Sequence, residues 1–90
     1  MQMATQELSA AELIARYIES NPHRPGAADV RLVDYGVPVW ALVGHYEAIG
    51  HDAAQVATDY HLPRLAVDAA LAYYARNPPG IRARIDANAA

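Results

Sequence analysis

Four histidines and ten carboxylates are the first residues to test for chemistry in this chain of 90 residues. His45 and His51 stand six apart, and His61 follows ten further on. None forms the i, i+4 pair that places two metal ligands on one helix face. Asp59 lies close to His61 in sequence, but a helix end falls between them. These residues read as surface or capping groups, and no metal or cofactor is expected. The serines Ser9 and Ser20 both sit near the first helical stretch, one as a cap and one as a terminus, so no nucleophilic triad is expected. The five glycines are scattered singly, which leaves no phosphate-cradling loop. Glu47, Asp52, Asp59 and Asp68 read as a solvated acidic face. The sequence therefore points away from catalysis and towards binding.

The candidate binding residues are arginines and aromatics. Arg76, Arg82 and Arg84 form the basic cluster. Three readings stay open for it: plain solvated charge, contact with an acidic partner, or phosphate contact. A salt titration separates the last two, because phosphate contacts release counterions. Trp40, the single tryptophan, serves either to fill the core or to form a dimer or partner interface, where Trp and Tyr are enriched. Tyr73 and Tyr74 point about 100° apart on a helix. We expect Tyr74 inside and Tyr73 at an interface.

The elements that must position these groups are mostly helical. The hydrophobic fraction is 53%, much of it alanine, and there is no cysteine and no phenylalanine. Disulfides, thiol catalysis and cysteine-based zinc sites are thereby excluded. The net charge is −3, and all seven cations are arginine. That balance disfavours nonspecific nucleic-acid binding. No signal peptide or membrane span is expected, so a cytoplasmic location is the default. One domain of this size is only marginally self-sufficient, and a homodimer would support it.

Residues 1–7 read as a lead-in. Ser9 and Glu12 form a capping-box pattern, and Leu13, Ile14, Tyr17 and Ile18 mark a helix ending near Ser20. The breaker NPHRPG, residues 21–26, follows. Val30, Leu32 and Tyr35 then alternate, a turn falls at Asp34–Gly36, and Val37 and Val39 flank Pro38. We read a short two-stranded ribbon whose second arm is at best an edge. Such a ribbon is weak alone, which favours pairing with a second subunit. Leu42, Val43, Tyr46 and Ile49 mark the next helix, with Gly50 as its stop. Asp52 caps a third helix running to about Tyr60. Pro63 opens a fourth with Val67, Ala70, Leu71 and Tyr74 inward. NPPG, residues 77–80, breaks the chain, and IRARIDANAA is a short helix or a loose tail. The expected fold is mainly α: a small helix-turn-helix domain preceded by a short β-ribbon. It is one domain, with an N-terminal helix and linker (1–28), the ribbon and helix-turn-helix core (29–77), and a tail (78–90).

The pair of helices joined at His61-Leu62-Pro63 meets the packing needs of a helix-turn-helix. Ala57 falls at the closest approach, with Val56, Leu62, Val67 and Ala70 inward. His61 stands where glycine is usual. If the second helix entered a groove, it would present Pro63, Arg64, Asp68, Ala69 and Ala72. Arg64 could contact a phosphate or a guanine, Asp68 would repel phosphate, and the alanines read little. The DNA-binding candidates are Arg64, Asp68 and Arg76. The partner or dimer candidates are Trp40, Tyr73, Arg82 and Arg84.

The stretches PVWALVGHYEA (38–48), VATDYHLP (56–63) and AVDAALAYY (66–74) resemble a family of small bacterial helix-turn-helix proteins, grouped as a domain of unknown function and associated with VapB-like antitoxins. IRARIDAN (81–88) resembles the tail that often follows. The resemblance implies a dimeric protein that pairs with a PIN-like ribonuclease toxin, blocks it and represses its own operon. On charge and position, Arg82 and Arg84 would enter the toxin's acidic pocket from a free tail. Two further expectations stand beside it: a stand-alone DNA-binding repressor, with Arg64 and Arg76 of two subunits forming a basic face, and a structural adaptor that only dimerises.

Overall fold

A computed structural model describes residues 8–89. The lead-in expected over residues 1–7 lies outside the described residues. Helix α1 (Ala10–Tyr17) opens on the expected capping box: the Ser9 hydroxyl accepts from the Glu12 amide, and the Glu12 carboxylate accepts from the Ser9 amide. The helix stops earlier than expected. Ile18 is extended, and Ile18–Glu19 form strand β1, not a last helical turn. A 3-10 turn follows at Ala27–Asp29, then strand β2 at Arg31–Leu32.

The ribbon exists, but from other strands than expected. β1 pairs antiparallel with β2, with Ile18 opposite Leu32 and Glu19 opposite Arg31. An Arg31–Glu19 ion pair at 2.9 Å closes its end. The expected second arm around Pro38 shrinks to a single bridge between Arg31 and Pro38. Leu32 N donates to the Val37 carbonyl and Val39 N to that of Val30. A helix already begins at Val39, so no longer arm can form. The N-terminal segment thus supplies the second strand of the ribbon in place of the arm expected around Pro38.

Helices α2 (Val39–Ala48), α3 (Ala53–Tyr60) and α4 (Arg64–Arg76) form the helix-turn-helix core. α2 ends in a Schellman motif: the His51 amide donates to the Tyr46 carbonyl and the Gly50 amide to that of Glu47. Gly50 supplies the required positive φ of 87°. The Asp52 carboxylate then caps α3 by accepting from the Gln55 amide. Pro63 precedes α4 in an extended conformation. Helix α5 (Pro78–Ala89) settles the tail as ordered helix, its first turn formed by the two prolines, which suits residues without an amide donor.

α4 lies at the centre of the molecule, contacting α1, α2, α3 and α5. Ala66, Ala69 and Ala70 are fully buried along it; side chains this small let neighbouring helices approach closely. The core joins Val30, Leu32, Val39, Leu42, Val43, Val56, Leu62, Val67 and Ile81. Among the described residues no helix is long and apolar enough to cross a membrane.

The turn between α3 and α4 has a built-in flaw. His61 sits in the left-handed region at φ 56°, ψ 48°. It occupies the glycine position of a second Schellman motif, in which the Leu62 amide donates to the Ala57 carbonyl at 2.9 Å. A side chain there costs roughly 1 kcal/mol, and glycine removes that strain but frees the unfolded chain. His61→Gly therefore raises unfolding free energy by about 0.5–1 kcal/mol, and His61→Val lowers it by about 1–2 kcal/mol. Urea melts followed by Trp40 fluorescence give both values.

Candidate interaction faces of the helix-turn-helix

The surface is built outward from α4. With its inner side taken by the core, its exposed residues are Arg64, Leu65, Ala75 and Arg76, with Asp68 and Ala72 half-buried beside them. Arg64 Nε donates to Asp68 Oδ1 at 3.0 Å, an i, i+4 pair that neutralises both charges within one turn. Among the described residues Leu65, at 44% exposure, is one of two large apolar side chains left open; Tyr35 is the other. Ala69 corrects the sequence reading: it is fully buried and offers nothing to a groove. Arg76 is exposed at the far end of the helix. The face is thus mixed, weakly charged and partly apolar.

The tail arginines also depart from expectation. Arg82 and Arg84 do not reach outward. Arg82 donates to Glu47 of α2 and to the Tyr74 hydroxyl, and Asp86 lies 3.9 Å away. The Glu47 and Tyr74 hydrogen bonds push its guanidinium pKa above its ordinary value. Arg84 donates to Asp29 at 2.9 Å. Asp29 is the buried acid of the chain among the described residues, and Arg24 stands 3.9 Å from it. A helix has formed where a loose tail was possible, and it turns both arginines onto acids of its own chain.

Tyr73 and Tyr74 are both half-buried against the core. The Tyr73 hydroxyl donates to the Ala27 carbonyl at 2.7 Å, and its burial raises its pKa. It therefore ties α4 to the 3-10 turn instead of standing free at a surface. Trp40 is half-buried, packed on the core and bordering a groove of about 420 Å³. Ala41, Gly44, Tyr60 and Ile85 share that groove. Core filling and surface presentation both apply to it.

One polar contact escaped the sequence reading. His45 Nε2 and Asp59 Oδ2 meet at 2.7 Å, pinning α2 to α3, and Gln55 Nε2 donates to the other oxygen at 2.7 Å. His45 also meets Tyr60 edge to face at 5.4 Å. Fourteen residues separate His45 from Asp59, so no local spacing signals the pair. Its hydrogen bonds, His45 first and Gln55 second, hold the Asp59 carboxyl below its ordinary 3.8. The Ser9 contacts likewise lower Glu12 from 4.5. A depressed carboxyl stabilises the fold above its unfolded pKa and loses that contribution as pH falls through its folded value. Stability should therefore drop as pH falls below about 4, and Asp59→Asn should flatten part of that acid limb. Urea melts from pH 2.5 to 7 measure the difference between the two curves. Among the described residues no group of three or more His, Cys, Asp or Glu could hold a metal ion.

Fold and surface together define a small helix-turn-helix domain in which the second helix is buried on most sides and presents one narrow mixed face. Residues 27–74, more than half of the chain, match the family model described as a protein of unknown function, DUF433, and the chain belongs to that family. The match takes in the 3-10 turn, β2, α2, α3 and α4 as far as Tyr74, while α1 and β1 precede it and α5 follows. Neither a curated protein nor a solved structure matches the chain.

Proposed function

We propose that this protein is a non-enzymatic binding protein: an antitoxin-like module that holds and silences a PIN-like nuclease. The sequence resemblance to VapB-like antitoxins suggests the partner class. The observation that carries the binding mode is the outer face of α4, where exposed Leu65 stands beside an internally neutralised Arg64–Asp68 pair. An apolar side chain next to a cancelled charge suits a protein surface better than a phosphate backbone. Arg82 and Arg84 are committed within the chain, so the partner contact moves from the tail to this face. Localisation in the cytoplasm and homodimerisation belong to the same proposal.

The test is copurification with a PIN-like nuclease encoded beside this gene. Leu65→Asp is expected to weaken that complex at least about tenfold with no loss of melting temperature, since the side chain is 44% exposed. An undiminished complex would remove α4 from the interface.

Operator binding is the second reading, favoured by the helix-turn-helix itself. It requires Arg64 and Arg76 of two subunits to form one basic face. A gel shift on the protein's own promoter, repeated at several salt concentrations, tests it: phosphate contacts by both arginines give a steep slope that Arg64→Ala and Arg76→Ala reduce. An unshifted promoter fragment counts against it.

A further inference from the structure

All seven cations of the chain are arginine, and among the described residues all but one are engaged. Arg16 lies over the Tyr17 ring, Arg24 stands near Asp29, and Arg31, Arg64, Arg82 and Arg84 each bond an acid. Arg76 is the exception. It is exposed in the last turn of α4 and meets neither a carboxylate nor an aromatic ring among the described residues. Its place suits the negative end of the helix dipole, but that leaves its side-chain donors unpaired.

An acid stands on the same face of α4. Asp68 lies two turns before Arg76, about 12 Å along the axis and too far for the two to pair within one helix. Arg64 donates to Asp68 Oδ1, while among the described residues Oδ2 accepts nothing. Ala72 falls midway between the two charges. Helical geometry sets Asp68 and Arg76 about 6 Å along the axis and about 40° round it to either side of Ala72. The stripe therefore carries a free acceptor at one end, a free cation at the other and a methyl group between them.

Such a stripe is complementary to itself run backwards. When a second copy of α4 crosses antiparallel at Ala72, each Arg76 meets the Asp68 of the other copy, and symmetry makes the contact twice. The small side chains of Ala72 and exposed Ala75 let the two helices come close, and the long arginine stem spans the remaining offset. The approach is open. Tyr73 and Tyr74, which hold the 3-10 turn and α5, point about 100° and about 160° away from Ala72. Leu65 lies within about 20° of Ala72, at the end of the contact, beside the apolar stem of Arg76 from the second copy.

We propose that two copies of this chain pair through α4, antiparallel about a two-fold axis at Ala72, with Asp68 of each copy bound by Arg76 of the other. This gives the homodimer proposed above its contact surface, but it rests on neither nuclease nor DNA binding. The face is one helix wide, so the pair is weak and reversible. A nuclease that takes Leu65 displaces the second copy, and a basic face of Arg64 and Arg76 cannot form while the pair lasts.

Sedimentation equilibrium on the full wild-type chain, with no nuclease or DNA present, tests the pairing. A concentration-dependent dimer is expected; a chain that stays monomeric up to millimolar concentration would overturn the proposal. Charge reversal tests the register. Asp68→Arg sets arginine against arginine at both contacts, and Arg76→Asp sets aspartate against aspartate. Each variant is expected to dissociate at least about tenfold more readily than wild type. Mixing the two variants restores opposite charges at both contacts, so their heterodimer should be at least about tenfold tighter than either variant alone. A mixture no tighter than its components contradicts the Asp68–Arg76 contact. Ala72→Glu brings two carboxylates together at the axis and should weaken the dimer on the order of tenfold; undiminished pairing by that variant places the axis elsewhere and overturns the register. Circular dichroism of each variant separates lost pairing from lost folding, and Ala72→Glu carries the test where a reversed variant does not fold.

Discussion

Leu42→Ala should lower the free energy of unfolding by about 2–5 kcal/mol, read from urea melts monitored at Trp40. Leu42 is 1% exposed in α2 and belongs to the same buried cluster as Val30, Val43, Val56 and Val67. That cluster is where the ribbon and the core helices α2, α3 and α4 meet. Truncation there removes apolar contacts from all of these elements and leaves a cavity that they cannot all close. Domains of this size are stable by about 5–10 kcal/mol in total, so the variant should sit near the edge of folding. A loss under about 1 kcal/mol would mean that α2 is not packed as described.

Ala69→Leu should be destabilising by about 1–3 kcal/mol or more, although it places a good helix former in a helix. The reason is burial: Ala69 is fully covered, as are Ala66 and Ala70 on the same helix. Added carbons must push back a neighbouring helix or take up a strained rotamer. The substitution discriminates sharply between two placements of α4. On a groove-facing surface, as the sequence suggested, leucine at 69 would be neutral or slightly stabilising. At the crowded centre of the fold it is not. Thermal melts of the variant beside Ala75→Leu, at an exposed position of the same helix, separate packing from propensity.

The contrast at Ala69 shows what one chain's sequence can and cannot reveal. Signals that act over a few residues were legible. Ser9 with Glu12, Gly50, Asp52 and Pro63 each marked a helix boundary, because capping and φ preferences are local chemistry. The turn at His61 was legible for the same reason, as a position where glycine is usual, and the structure gives it the left-handed conformation. Alanine carries no such signal. It serves equally well on a surface and between two helices, so the burial of Ala66, Ala69 and Ala70 had to come from three dimensions.

Strand β1 was hidden for another reason. Two residues make no period, and Ile18 also continues the helical stripe of Leu13, Ile14 and Tyr17. Only its pairing with Leu32, across the breaker segment, makes it a strand. The fastening of Arg82 and Arg84 depends on acids 35 and 55 residues away. A hint was present in IRARI, whose isoleucines and arginines divide into an apolar stripe with two charged flanks once it is drawn as a helix. The breaker NPPG concealed it, because the same prolines that end one helix begin the next. The interaction residues were therefore legible as types but not as roles: Arg64 and Arg76 remain on the outer face, while Tyr73, Arg82 and Arg84 are engaged within the chain.

These placements leave the molecule with a three-helix centre and a narrow mixed face on α4. The proposed role is to hold a partner. The most direct measurement is RNA cleavage by a PIN-like nuclease encoded beside this gene, with and without an equimolar amount of this protein. The account predicts that cleavage is suppressed by wild type and restored when Leu65→Asp takes its place. Cleavage at the same full rate with wild type present, from a nuclease that does not bind it, would contradict the account.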